Sequence, residues 1–150
     1  MNYDSTNDTA LHIIHVARNV DEILNNLDKR KRTHDKSKLQ EPEKSMFVEF
    51  TSKLQDSTYG SDEYKGFLKD MGVALRHHYE NNTHHPEHYP NGINGMSLLD
   101  LIEMLADWKA AVARHADGDI QKSLEINKAR FGISDQLAEI FQNTVKELGW

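Results

Sequence analysis

The feature that most limits what this chain can fold into is the period of its apolar residues. Between Thr9 and Leu27 they fall at 13, 16, 17, 20, 23, 24 and 27, the spacing of one helix face. A similar period returns at Tyr64, Phe67, Leu68, Met71, Val73 and Leu75, and most strongly in LLDLIEMLADWKAAVARH, residues 98–115. Nothing alternates with period two for long enough to make a strand. The spacing therefore predicts an all-α fold, a compact bundle of five to seven helices.

Local signals place the ends of these helices. Thr33 is read as the cap of a second helix running into LQEPEKSMFVEFTSKL, with a break or fresh start at Pro42. Residues 56–64 read as a loop, and a third helix is expected over Glu63–Tyr79. Pro86, Pro90, Asn91-Gly92 and Asn94-Gly95 forbid a regular element between Asn81 and Met96. Ser97 with Asp100 predicts a capped start for the 98–115 helix, which ends at 117–119. A further helix over 120–130 should stop at Gly132, and Ser134 or Asp135 opens the last. With 150 residues the chain suits one domain over 9–150 behind a disordered or loosely packed 1–8.

Composition narrows the chemistry. There is no cysteine, so a metal would have to be held by imidazole and carboxylate, and a reducing cytoplasm is the expected setting. The formal charge is −6 with the signs interspersed, which argues against a nucleic-acid polymer as partner. The exception, DKRKRTHDKSK at 28–38, reads as a solvated helix end whose cations complement the macrodipole. No apolar run approaches the ~20 residues of a membrane span, and MNYDSTND lacks the order of a signal peptide.

Five of nine histidines crowd into RHHYENNTHHPEHYPNG, at 77, 78, 84, 85 and 88. Elsewhere His34-Asp35 are adjacent, and Asp100, Glu103 and Asp107 stand at i, i+3 and i+7 beside an apolar row. On the helical wheel His12 lies at the border of its stripe while His15 points away, which makes His12 the better inward-facing ligand. Imidazoles and carboxylates converging from several helices are what a thiolate-free metal site requires. His15 and His115 read as ordinary surface residues, Asp100 as a cap, and Trp108 as a core anchor rather than a substrate platform.

The spacing of His12, His34-Asp35 and Asp107 resembles the HD phosphohydrolase superfamily, a helical fold in which such residues hold a divalent metal. More narrowly, HIIHV, RTHDKSKLQEPE, HHYENNTHHPEHY, GINGMSLLDLIEMLADWKAA and INKARFGIS resemble a small HD-like family common in phage and bacterial genomes, over about residues 9 to 148. The resemblance implies a metal-dependent phosphohydrolase, a phosphomonoesterase or phosphodiesterase, acting on a nucleotide or related small phosphate ester. The setting would be cytoplasmic, or the host cytoplasm if phage-encoded, without a membrane partner and with room for a homo-oligomer. In that superfamily, histidines inserted between the His-Asp pair and the last Asp accompany two metals. His77 or His78, with His84 or His85, would fill those places, which favours two ions of Mn, Fe, Mg, Co or Zn. Of the first pair His77 is preferred, as sharing a face with Val73.

On that footing Asp35 would bridge the ions, His12, His34 and Asp107 would complete one, and the inserted histidines the other. Lys38, as in an HDxxK pattern, with Arg18 and Arg114, would meet the phosphate. Asn81 and Asn82 would orient a base or sugar, and Glu87 or His88 would protonate the leaving alkoxide. However, PEHYPNG replaces the glycine-rich segment of cyclic-dinucleotide phosphodiesterases, which argues against that substrate. A di-iron oxygenase using nearly the same ligands and a non-catalytic nucleotide-binding phage accessory protein are the alternatives.

Overall fold

The computed structural model describes residues 4–58, 61–114 and 118–150. Among these, the chain forms seven α-helices, three short 3-10 turns and no strand, as the periodicity predicts. The helices are α1 (Thr6–Thr33), α2 (Glu43–Asp56), α3 (Asp62–Asp70), α4 (Gly72–Asn81), α5 (Leu98–Val112), α6 (Ile120–Phe131) and α7 (Asp135–Leu148). His115 and part of the expected 56–64 loop lie outside the described residues. The chain divides into two compact units, Met1–His34 and Asp35–Trp150. No described helix is long and apolar enough to cross a membrane.

The first unit is α1, 28 residues long. It runs through the basic segment to Thr33, whose hydroxyl donates back to the Lys29 carbonyl, so Thr33 ends one helix instead of capping the next. Arg30, Lys31 and Arg32 occupy the last turn, where cations meet the partial negative charge of the helix end. No residue of α1 is buried, and His12, expected to face inward, is exposed, as are His15 and Arg18. An amphipathic period specifies that a face is apolar, not what covers it.

In the second unit the 3-10 turn Lys36–Leu39 leads to α2, which starts only after Pro42. The single helix expected over 63–79 is two: α3 ends at Met71, whose fully buried side chain packs at the junction, and α4 begins at Gly72. The main core joins α5, α6 and α7 through Met104, Leu105, Ile120, Leu124, Ile133, Phe141 and Val145. Gly132 stops α6 in the left-handed conformation (φ 62°) that only glycine adopts without cost, and Ser134 caps α7 by accepting from the Leu137 amide.

Between α4 and α5 the Pro- and Asn-rich segment folds into 3-10 turns at Pro86–His88 and Gly92–Gly95. Gly95 is required there, because an added Cβ would stand 2.7 Å from Tyr89 Cβ and also strike the Asn91 side chain. Asp100 holds the segment down. Beyond its capping box with Ser97, this buried carboxylate accepts the hydroxyls of Thr83 at 2.7 Å and Tyr89 at 2.9 Å. Replacing Asp100 with Ala strands those donors, so urea titration should show the variant less stable by about 2 kcal/mol, with faster amide exchange confined to residues 83–97.

Candidate metal centre

Asp35 opens the second unit in an unusual conformation. Its φ of 55° is left-handed, a region that asparagine and aspartate tolerate better than other side chains. That turn, and the 3-10 helix it starts, brings Lys38 Nζ to 2.5 Å from Asp35 Oδ2. The ammonium also lies 4.9 Å from the Phe47 ring centroid, so it is held on two sides.

The other carboxylate oxygen, Asp35 Oδ1, faces two buried imidazoles. His78 Nε2 is 3.4 Å away and His84 Nε2 3.5 Å. His85 Nε2 lies 2.9 Å from His78 Nε2, and the His84 and His85 ring centres are 4.1 Å apart. One donor atom from each of Asp35, His78, His84 and His85 falls within 4.8 Å of all the others. Ligand atoms at ~2.0–2.1 Å from a tetrahedral cation sit about 3.3 Å from each other. The His78–His85, Asp35–His78 and Asp35–His84 spacings of 2.9–3.5 Å are of that size.

Carboxylates behind the imidazoles set their orientation. Glu43, the first residue of α2, is 0% exposed. It faces His78 Nδ1 at 2.8 Å and His77 Nδ1 at 2.6 Å, and accepts the Ser37 hydroxyl at 3.0 Å. A proton on His78 Nδ1 directed at Glu43 leaves the Nε2 lone pair turned toward Asp35 and His85. Glu103 Oε1 stands 3.3 Å from His84 Nδ1 in the same relation. Imidazole backed by carboxylate is how protein metal ligands are commonly fixed.

Burial favours the neutral form of His78 and His85. The His85 pKa is pulled from 6.5 to about 3, first by desolvation and then by the charges of His84 and His78, against the opposing pull of Asp107 and Asp35. Desolvation also lowers His78, helped by Lys38. Neutral imidazoles with available lone pairs are the form that binds a cation.

Several expectations change in the light of this geometry. His78, 2% exposed, is the inward member of its pair, while His77 is 37% exposed on its side chain and serves Glu43. The preference for His77 rested on Val73, but Val73 is 70% exposed and the buried face of α4 runs through Ala74 and His78. Both His84 and His85 join the cluster, and Asp107 on α5, expected as a ligand, brings a carboxylate oxygen within 4.8 Å of one on Asp35 and also acts electrostatically on His85. Glu87 and His88 are not part of this set of four. Glu87 pairs with Arg130 at 2.8 Å, and His88 Nδ1 donates to the Tyr79 carbonyl at 2.8 Å. Asn81 is exposed and bonds to the His77 carbonyl, whereas Asn82 is buried against Ser37 and His78. Arg114 is exposed just beyond α5.

The residue that sequence reasoning missed is Glu43. A carboxylate directly after a proline at a helix start reads as a first-turn acid, and nothing local signals that it is buried. Glu103, seen as part of the stripe but not as a site residue, was legible only as a carboxylate beside a core row.

Two outcomes follow from this geometry. Glu43→Gln should lower Mn(II) or Zn(II) affinity by about 10–100-fold in calorimetric titration, while Asn81→Ala leaves it unchanged. For the metal-free protein, the unfolded chain binds protons at 6.5 more readily than the folded His85 does at about 3. Stability should therefore fall as pH drops from 6.5 toward 3, and urea midpoints across that range should flatten in His85→Gln.

No curated protein and no solved structure matches this chain. A family model does, over residues 1–147, covering α1, the Asp35 turn, all three clustered histidines and Asp107. The chain belongs to the family of unknown function DUF5662.

Proposed function

We propose that Asp35, His78, His84 and His85 form a divalent-metal centre and that the protein is a metal-dependent phosphohydrolase acting on a small phosphate ester. The observation that carries the reading is the convergence of four donor atoms within 4.8 Å, with Lys38 paired to the carboxylate donor at the same place. Nucleotides are the first substrate class to test, on the resemblance to the HD superfamily. A cation held there by Asp35, His78, His84 and His85 would supply Lewis acidity for a phosphoryl oxygen and would lower the pKa of water.

The chain's own residues have separable jobs. Asp35 and the three imidazoles bind, with Glu43 and Glu103 fixing the ring planes. Lys38, partly exposed at 29% of its side chain, offers a positive charge beside the carboxylate donor. In that position it would meet a second phosphoryl oxygen and offset charge that grows during in-line displacement. Asp107 adds negative charge beside His85, which favours a bound cation over an empty site.

The test is phosphate release from a panel of nucleotides and simple esters by protein loaded in turn with Mn(II), Co(II), Mg(II), Fe(II) and Zn(II). Turnover is expected with at least one metal, and Lys38→Ala should reduce kcat by about 10²-fold with metal content retained. Metal-replete protein that releases no phosphate from any ester, or an iron-loaded form that consumes oxygen, overturns the reading.

A further inference from the structure

A second concave site lies in the same unit and shares no residue with the four-residue cluster. It is a cavity of about 470 Å³ between the end of α2, the C-terminal half of α5 and the first half of α6. Asp56, at its wall, closes the opposite end of α2 from Glu43, about 20 Å along a helix of 14 residues. Volumes of this order accept one small organic molecule.

The lining states what that molecule must offer. Trp108, Val112 and Ile126 provide an apolar wall. The Trp108 ring already lies parallel to Phe131 and edge-on to Phe141, so its plane is set before any ligand arrives. A rigid aromatic wall of this kind favours a flat ring over a flexible chain.

Asn127 supplies the polar specification. It is 2% exposed and lines the cavity, and its Nδ2 donates to the Ser123 carbonyl at 3.0 Å and to Ser123 Oγ at 3.3 Å. A carbonyl can only accept, so the amide cannot be turned over, and Oδ1 is the atom left for a ligand. Among the described residues no donor reaches Oδ1. An acceptor oxygen on a side chain only 2% exposed, at the wall of a cavity, selects a group that donates. Around it stand the Asp56 and Asp119 carboxylates, acceptors again, with Lys122 as the single cation among the described residues of the lining. Two carboxylates against one ammonium disfavour an anion.

From this lining we infer that the cavity is a binding site for a planar amino-bearing heterocycle, neutral or singly cationic, stacked against Trp108 with its amino group donating to Asn127 Oδ1. The site works without the metal centre, and Trp108 serves both the core and the ligand. Nothing in this assignment depends on the phosphohydrolase reading.

The experiment uses the full chain with Trp150→Phe, which leaves Trp108 as the only tryptophan. Adenine, cytosine and unsubstituted purine are titrated against its fluorescence, in chelator and again with Mn(II). Quenching by adenine or cytosine at least tenfold tighter than by purine, unchanged by Mn(II), is the expected result. Asn127→Leu should abolish the preference for the amino compounds, and Ala111→Phe, at an exposed lining position, should abolish binding while circular dichroism and melting stay as in the parent. Equal affinity for purine, binding that requires Mn(II), binding that survives Ala111→Phe, or no quenching by any of the three overturns the assignment.

Discussion

One buried carboxylate organises the part of the second unit that carries the candidate metal centre. Glu43 stands at the start of α2 and takes contacts from the 3-10 turn after Asp35 through Ser37, and from α4 through His77 and His78. A carboxylate with no exposure to water is costly unless every side of it is answered, and here two imidazoles and a hydroxyl answer it. The same contacts determine which nitrogen of His78 faces Asp35. Register between α2, α4 and the Asp35 turn is thus coupled to the geometry of the candidate centre.

The loop from Asn82 to Met96 is the other half of that geometry. Histidines on a loop make poor ligands unless the loop is rigid, since a mobile segment loses entropy when it is ordered. This one is tied on several sides: Thr83 and Tyr89 to Asp100 on α5, His88 to the Tyr79 carbonyl on α4, and Glu87 to Arg130 on α6. Glu87 and His88, of which one or the other was expected to protonate a leaving group, also tie the loop to α6 and α4 through Arg130 and the Tyr79 carbonyl.

Much of the fold was legible because helix ends are local events. The Ser97–Asp100 capping box, the stop at Gly132 and the Ser134 cap each depend on residues within one turn, and each stands where the residue types place it. Two helix ends were misread: one expected helix breaks at Met71–Gly72, and the basic run lies inside α1, which carries on past the point where Thr33 looked like a cap. In the site the deciding contact was distant in sequence. His84, His85, Asp35 and Asp107 were chosen by residue type, whereas the choice of His78 over His77 turns on which face of α4 meets α2.

What the sequence determined by itself was the helical class, the absence of thiolate chemistry and the supply of imidazoles and carboxylates on either side of Asp100. Those follow from period, composition and capping, which act over a few residues. Only the tertiary structure decided which donors share a volume and which are spent on structure. It turned Glu43 from a first-turn acid into the support of His78, moved His77 to the rim, and set the Asn127 amide at a cavity wall with its nitrogen held by Ser123. The physical reason is burial. Desolvation and pairing are set by residues far apart in the chain, and no local pattern records them.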